Sequence, residues 1–131
     1  MMILLISTSC EKGINVKGYL FDVTDEKAVN EYLDQMGKEI GPIDILVNNA
    51  GIIKRIPMLE LSVEDWQQVL NIDLTGPFIM SKCVVQKFML SRRSGKIINM
   101  CSMMSELGRS TVAAYAAAKG GLKMLTRNMA T

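Results

Sequence analysis

Hydrophobic positions along the chain change their spacing several times, from continuous apolar runs to a helical repeat and back. Apolar runs at Ile3 to Ile6, Lys17 to Val23, the segment IDILV and Gly95 to Ser102 predict β-strands, because each is short and ends in polar or glycine residues. The stretches between them repeat apolar residues every three or four positions and predict helices. This alternation predicts a parallel sheet covered by helices on both faces.

Capping residues mark where the predicted helices begin. Thr24 and Asp25 precede the first helix, which Gly41-Pro42 ends, and Ser62 caps the second. A third helix is predicted roughly from Asp73 to Ser91, and an alanine-rich fourth begins near Thr111. The residues predicted to face inward in the first two helices are Val29, Leu33, Met36, Ile40, Val63, Trp66 and either Val69 or Leu70.

Composition narrows the function classes. The 131 residues are 49% hydrophobic, so we expect one domain over residues 1–131. The net charge of +2 is spread along the chain, which favours neither a nucleic-acid surface nor an anionic membrane. Three widely spaced cysteines and no histidine give no zinc pattern and fit a reduced, cytoplasmic protein. The opening MMILLISTSC lacks the basic start and the apolar length of a signal peptide, and no run is long enough to span a membrane.

Polar or glycine residues follow three of the predicted strands. Asp22, the segment Asn48 to Gly51, and Ser102 each come at a strand end, and right-handed crossovers bring such ends to one edge of a sheet. Tyr115 and Lys119 are four residues apart, so they share one face of the last helix and can approach Ser102. Taken singly, these residues also suit strand-ending turns and an ordinary amphipathic helix; together they predict a site.

A serine, a tyrosine and a lysine without a histidine do not suit triad hydrolysis, but they suit proton transfer to or from an alcohol or carbonyl oxygen. An unperturbed tyrosine, with a pKa of about 10, is a poor base at neutral pH, and a nearby ammonium favours the phenolate. Tyr115 can then accept a hydroxyl proton while Ser102 donates a hydrogen bond to the same oxygen. The accompanying hydride needs an acceptor that no side chain provides, which implies a nicotinamide.

Three separated motifs, LVNNAG at Leu46 to Gly51, then Ser102, then YAAAK at Tyr115 to Lys119, resemble the short-chain dehydrogenase/reductase family in order and spacing. Within it, the runs GIIKRIPM and INMCSMMSELGRSTVAAYAAAKGGLKMLT resemble the gluconate 5-dehydrogenases, which interconvert D-gluconate and 5-keto-D-gluconate with NAD or NADP. The resemblance implies a doubly wound, Rossmann-like parallel sheet.

The resemblance also implies roles for individual residues. Tyr115 would be the catalytic acid/base, Lys119 its activator and a ligand of the nicotinamide ribose, and Ser102 would orient the substrate. Asp22 with Val23 would border the adenine. Asn48, Ala50 and Gly51 would line the cofactor ribose and the central crevice of the sheet, with no metal. Arg55, just after the NNAG turn, could pair with a sugar-acid carboxylate. Met103, Met104 and Arg109 lie near the strand end that would face the substrate, and the sequence does not separate NAD from NADP.

Two features depart from the family pattern. Asp73 stands in NIDLTGPF where the family has a catalytic asparagine, and its role stays open. The glycine-rich TGxxxGxG turn that holds the cofactor diphosphate does not occur, and the chain ends at Thr131 within the helix of Tyr115. We therefore expect a Rossmann-like domain truncated at both ends, without the family's first strand-helix-strand unit and its C-terminal part.

Two functions stay open on these grounds. The chain is a sugar-acid oxidoreductase by descent whose isolated form we expect to be inactive, or it is an inactive fragment that serves only as an association module. In both cases the apolar surface of the 73–91 helix predicts a homo-oligomer, since the resemblance places the equivalent helix in a four-helix dimer interface.

Overall fold

The computed structural model describes residues 2–6 and 17–131, and of residues 2–6 it describes the backbone alone. Strands β1 (Met2–Ile6) and β2 (Lys17–Phe21) pair with each other, and so do β3 (Ile45–Asn48) and β4 (Lys96–Asn99). The α-helices are α1 (Glu26–Glu39), α2 (Val63–Leu70), α3 (Gly76–Val84) and α4 (Ala113–Met129). Shorter helical turns are of the π type at Asn71–Thr75 and Val85–Met89 and of the 3-10 type at Met103–Ser105.

Helix α1 begins and packs as its sequence predicts. The Asp25 carboxylate accepts hydrogen bonds from the N–H groups of the first turn, and Val29, Leu33 and Met36 are fully buried. The prediction that Ile40 shares this inward face is wrong. The helix ends at Glu39, and Ile40 lies beyond that end and is 40% exposed.

The segment from Val63 to Met89 is one continuous helical run, where the sequence predicted two separate helices. The π-helical turn Asn71–Thr75 joins α2 directly to α3 without a break. The Ser62 cap is confirmed, since its Oγ accepts from the Asp65 N–H at 3.0 Å. Val69 is fully buried, but Val63 in the first turn is 65% exposed, so its predicted inward orientation is wrong.

The parallel pairing predicted for the sheet is present between β3 and β4, where Asn48 is the register partner of Asn99. Paired side chains lie on the same face of a sheet. Asn48 contacts Ser81 of α3, and Asn99 contacts Thr126 of α4, so both helices pack on that face.

The opposite face of this sheet is uncovered by the described residues, unlike the two-sided layer predicted from the sequence. Ile45, Val47 and Ile98 lie on it and are exposed. In a doubly wound sheet, strands that progress in one direction through right-handed crossovers place all their connecting helices on one face. The helices of residues 17–131 supply that one layer.

Strand β1 forms where the sequence predicted it, but it pairs with β2 in the antiparallel sense. Only ten residues separate the two strands, and a parallel crossover needs about a dozen or more. The sequence also predicts that residues 3–6 are buried, but their side chains lie outside the part of the chain that the structure describes. β2 and β3 belong to separate two-stranded sheets, so no backbone ladder joins them in the described residues.

Candidate functional site

A pocket of about 240 Å³ opens where the chain leaves β3 and β4 and enters α4. Three of the predicted site residues, Arg55, Ser102 and Tyr115, line it together. The rest of the lining comes from Ile53, Met104, Arg109 and Val112. A backbone bond from the Ile56 N–H to the Thr111 carbonyl, 2.9 Å long, joins the loop after β3 to the start of α4 and so fixes two walls of the pocket.

Lys119 lies one helical turn after Tyr115, as their spacing predicts. Its ammonium is 5.6 Å from the centroid of the Tyr115 ring and donates to the Met100 carbonyl at 3.0 Å. The side chain is almost completely buried. Small alanines around the pair leave room for this arrangement, and the strand-end carbonyl holds the cation close to the phenol.

Ser102 is fixed by the first turn after β4. It caps the Met103–Ser105 turn: its Oγ accepts from the Met104 N–H at 3.2 Å, while its own N–H donates to Ser105 Oγ. Accepting one bond leaves the hydroxyl proton of Ser102 available for donation into the pocket.

The Asp73 carboxylate lies fully buried beside Lys119, an arrangement that the sequence did not predict. Its Oδ1 accepts from the Ile52 N–H at 2.7 Å, and its Oδ2 is 3.3 Å from Lys119 Nζ. Burial raises the pKa of the Asp73 carboxyl above its ordinary value, although the Ile52 bond and the Lys119 charge oppose the rise. The sequence singled out Asp73 because it stands at the position of the family's catalytic asparagine, but it did not predict the contact with Lys119.

The predicted cofactor residues lie in two places. Val23, Asn48 and Ala50 line a narrow crevice between β2 and β3, which Gly76 also borders. Gly51 instead approaches Asp73: a Cβ on it would lie 2.8 Å from Asp73 Oδ2, so a side chain there would displace the carboxylate.

The Asn48 side chain points into the protein. Its amide nitrogen donates to Ser81 Oγ at 3.0 Å and to Asn99 Oδ1 at 2.8 Å, and the residue is 7% exposed. Asn99 in turn donates to the Thr126 hydroxyl. The amide therefore links β3, β4 and the two helices, and both of its hydrogens are used within the fold.

Asp22 forms a strand-ending turn at the surface. Its Oδ1 accepts from both the N–H and the hydroxyl of Thr24, each at 2.8 Å. The backbone bond from Thr24 is the main reason that the pKa of Asp22 lies below its ordinary value. The exposed carboxylate thus stays ionised at the rim beside Val23.

The pocket carries two guanidinium groups, Arg55 and Arg109. Neither forms an ion pair within residues 17–131. Two exposed cations next to the hydroxyls of Ser102 and Tyr115 suit a polyhydroxylated anion. Met104, expected near the strand end, lines the same pocket.

The described residues hold no group of three or more histidine, cysteine or acidic side chains able to bind a metal ion. Among their helices, none combines the length and the hydrophobicity required to span a bilayer.

The chain is similar in sequence to proteins of known activity. The chain is 60% identical over 121 residues to the 2-dehydro-3-deoxy-D-gluconate 5-dehydrogenase of Formosa agariphila, an alignment that covers 92% of this chain and 46% of the relative. It is 44% identical to the 5-keto-D-gluconate 5-reductase of Escherichia coli K12, over 91% of this chain and 46% of that protein. The chain thus spans about half the length of the curated relatives it matches, in agreement with the partial domain expected from its motifs.

A crystal structure of a gluconate 5-dehydrogenase from Burkholderia cenocepacia J2315, in complex with NADP and tartrate, superposes with a TM-score of 0.80 and 44% sequence identity. The superposition covers 83% of this chain and 42% of that one, which confirms the Rossmann-like fold class. The family model of the short chain dehydrogenases matches residues 5–131. The chain therefore belongs to the short chain dehydrogenase family.

Proposed function

We propose that this chain carries the proton-transfer site of an oxidoreductase that moves a hydride between NAD or NADP and the C5 position of a six-carbon sugar acid. The observation that carries the proposal is the Lys119 ammonium, 5.6 Å from the Tyr115 ring centroid, beneath a pocket that Ser102 and Arg55 also line. D-gluconate and 5-keto-D-gluconate are the substrate pair.

In this mechanism Tyr115 accepts the proton of the substrate hydroxyl as the hydride leaves the same carbon, and returns it in the reverse direction. Ser102 donates a hydrogen bond to the oxygen that becomes a carbonyl. Lys119 stabilises the phenolate through its charge. A bound nicotinamide supplies the hydride acceptor or donor.

The rim residues fit such a cofactor in part. The exposed Asp22 carboxylate and Val23 would border its adenine, and Ala50 and Gly51 would approach its ribose, together with Lys119. Asn48 would support that crevice from within, because its amide hydrogens are already bonded to Ser81 and Asn99.

A sugar-acid substrate fits the charge of the pocket. A carboxylate would pair with Arg55, and Arg109 lies on the same lining. A second candidate, 2-dehydro-3-deoxy-D-gluconate, is favoured by the name of the 60% identical relative. The two candidates share the carboxylate and the C5 oxygen, so the same residues serve both.

Self-association is a further part of the proposal. Phe78 on α3 is 48% exposed and borders an apolar groove with Val85, Leu125 and Met129 of the neighbouring helices. We propose that a second copy packs on this helix pair, in a cytoplasmic homo-oligomer. Sedimentation at micromolar concentration should give a species larger than a monomer, whereas a sharp monomer boundary that Phe78→Ser leaves unchanged would contradict it.

The catalytic proposal is tested in a completed fold. A chimera in which the aligned 121 residues of this chain replace those of the Formosa agariphila relative should interconvert reduced and oxidised nicotinamide with one of the two sugar acids. Tyr115→Phe should abolish this turnover, and Arg55→Met should raise KM with a smaller effect on kcat. Turnover that survives Tyr115→Phe would refute the role of the tyrosine.

The isolated chain should bind NADH or NADPH only weakly and should not oxidise D-gluconate. The assay measures the absorbance of the reduced nicotinamide, with each of the two sugar acids added in turn as substrate. Steady turnover by the isolated chain that Tyr115→Phe removes would show that residues 1–131 suffice for activity. If neither cofactor binding nor turnover is found in any context, the alternative of an inactive association module is favoured.

A further inference from the structure

The pocket that Ser102 and Tyr115 line carries two guanidinium groups and no carboxylate. Arg55 and Arg109 are its charged members, and the other lining residues are neutral. Both arginines are exposed, and neither forms an ion pair within residues 17–131. Two like charges on one pocket repel each other, so this arrangement favours an anion between them and contributes nothing to the stability of the empty fold.

The other charged residues of the two pocket loops are already paired. In residues 52–56, Lys54 lies 2.5 Å from the Asp65 carboxylate. In residues 102–112, Glu106 pairs with Lys123 of α4. The charge that these two loops leave unmatched among residues 17–131 is therefore the charge of the two arginines.

One backbone bond brings the two loops together. The Ile56 N–H donates to the Thr111 carbonyl at 2.9 Å. Arg55 is next to one end of this bond in the chain, and Arg109 is two residues from the other end. Val112, which follows Thr111, is 1% exposed and holds the second loop to the protein. Both guanidinium groups therefore reach the same pocket from neighbouring parts of the backbone.

From this arrangement we propose that Arg109 is a specificity-determining residue for the reaction proposed above. Together with Arg55 it forms a two-guanidinium clamp, in which each arginine donates to the carboxylate of one sugar acid from its own side. The clamp selects sugar acids over neutral sugar alcohols that have the same carbon chain. The inference rests on the proposed function for the reaction, whereas the selective binding can be measured without cofactor or turnover.

The first experiment compares D-gluconate with D-glucitol, which differ only in the carboxylate at C1. Both are titrated into the full 131-residue chain, and binding is followed by the NMR signals of the Ser102 and Tyr115 amides. D-gluconate should bind more tightly than D-glucitol, and the preference should shrink as salt is added, because ions screen exposed charges. A chain that binds D-gluconate no better than D-glucitol overturns the proposal.

Arg109→Gln is the test variant. It should weaken D-gluconate binding by about threefold to tenfold, between the effect of an exposed ion pair and that of a charge-assisted hydrogen bond, and leave D-glucitol binding unchanged. Arg109→Lys should restore part of the loss, since it keeps the charge without the planar fork. Arg127→Gln is the matched control, because Arg127 is an exposed arginine outside the pocket lining. Equal losses in Arg109→Gln and Arg127→Gln would show an effect of net charge alone and would overturn the clamp.

Stability separates this role from a structural one. Arg109→Gln removes one of two like charges and should leave the Tm of the chain unchanged or slightly higher. A lower Tm together with unchanged D-gluconate binding would assign Arg109 to the fold and refute the proposal.

A double variant tests whether both arginines hold one carboxylate. If they do, Arg55→Met and Arg109→Gln are coupled, and the loss of D-gluconate affinity in the double variant should differ by about twofold or more from the product of the two single losses. Losses that multiply would place the arginines on separate groups and refute the shared clamp.

The chimera described above distinguishes failure of the clamp from failure of the proposed reaction. In it, Arg109→Gln should raise KM for the sugar acid with little change in kcat. An active chimera whose KM is unchanged by Arg109→Gln would overturn the clamp and leave the reaction standing. An inactive chimera that still binds D-gluconate through Arg109 would overturn the reaction and leave the clamp standing.

Discussion

Replacing Asn48 by alanine tests whether this residue supports the sheet or serves the cofactor directly. Its amide donates at 2.8 Å to Asn99 Oδ1 and at 3.0 Å to Ser81 Oγ, in a setting where Ser81 is 3% exposed. Removal of the amide leaves both acceptors without their donor and opens a small void between β3, β4 and α3. We expect a loss of stability larger than that of a surface substitution.

The magnitude follows from these two contacts. Each net hydrogen bond contributes about 0.5–1.5 kcal/mol, and a buried group left without a partner costs about 1–3 kcal/mol. The Ser81 hydroxyl can rotate toward another acceptor, so we count one uncompensated group and one lost bond. Asn48→Ala should therefore reduce the free energy of unfolding by about 2–4 kcal/mol.

Urea denaturation followed by circular dichroism measures this loss. With a slope of about 1–3 kcal/mol per molar urea, a loss of about 2–4 kcal/mol should lower the midpoint by at least about 0.7 M at an unchanged slope. Asn49→Ala is the matched control, because Asn49 is adjacent but exposed, and it should shift the midpoint little. A loss below about 0.5 kcal/mol in Asn48→Ala, or equal losses in both variants, would refute the structural role of the Asn48 amide.

Three further predictions concern the core, the pocket wall and the acid range. Leu33→Ala removes a fully buried side chain and should lower the free energy of unfolding by about 2–5 kcal/mol in urea; a loss under 1 kcal/mol would contradict the packing of α1. Thr111 has φ of 68°, so Thr111→Asn should stabilise the chain by about 1 kcal/mol, seen as a higher Tm, and a lower Tm would argue against this backbone conformation. The Lys17 ammonium donates a hydrogen bond to the Glu39 carboxylate at 2.8 Å and is the main reason that the pKa of Glu39 is lowered from 4.5 to about 2. The stability that this ion pair contributes is therefore present above pH 4.5 and is lost as the pH falls toward 2. NMR titration should give Glu39 a midpoint of about 2, which Lys17→Met raises; a midpoint near 4.5 in the unmodified chain would disprove the contact.

Local signals in the sequence predicted local structure well. Asp25 and Ser62 cap helices because their short side chains reach the unpaired N–H groups of the first turn, and that property does not depend on the rest of the fold. The spacing of Tyr115 and Lys119 likewise fixes their common helix face. Ser102 was predicted to lie near Tyr115 because the carboxyl ends of parallel strands meet at one edge of a sheet, and both residues line the same pocket.

Features that depend on distant partners are harder to predict from the sequence. Asp73 contacts Ile52 and Lys119, which are 21 and 46 positions away, and no periodicity relates them. Asn48 ends β3, which is also where a residue that contacts a cofactor would stand. Only its hydrogen bond to Ser81 of α3 shows that its amide points inward. The antiparallel pairing of β1 depends on the length of its connection rather than on its apolar residues.

The two halves of the proposed site differ in how the chain supports them. The proton-transfer half is joined by hydrogen bonds across three segments: from Ile56 to Thr111, from Lys119 to Met100 and from Ile52 to Asp73. The crevice for the cofactor lies between β2 and β3, which share no backbone ladder in the described residues. Because the pocket is held by its own contacts and the crevice is not, the pocket should keep its geometry in this chain even where cofactor binding is weak. Stronger cofactor binding once β2 and β3 are joined in one sheet is the result that this division predicts.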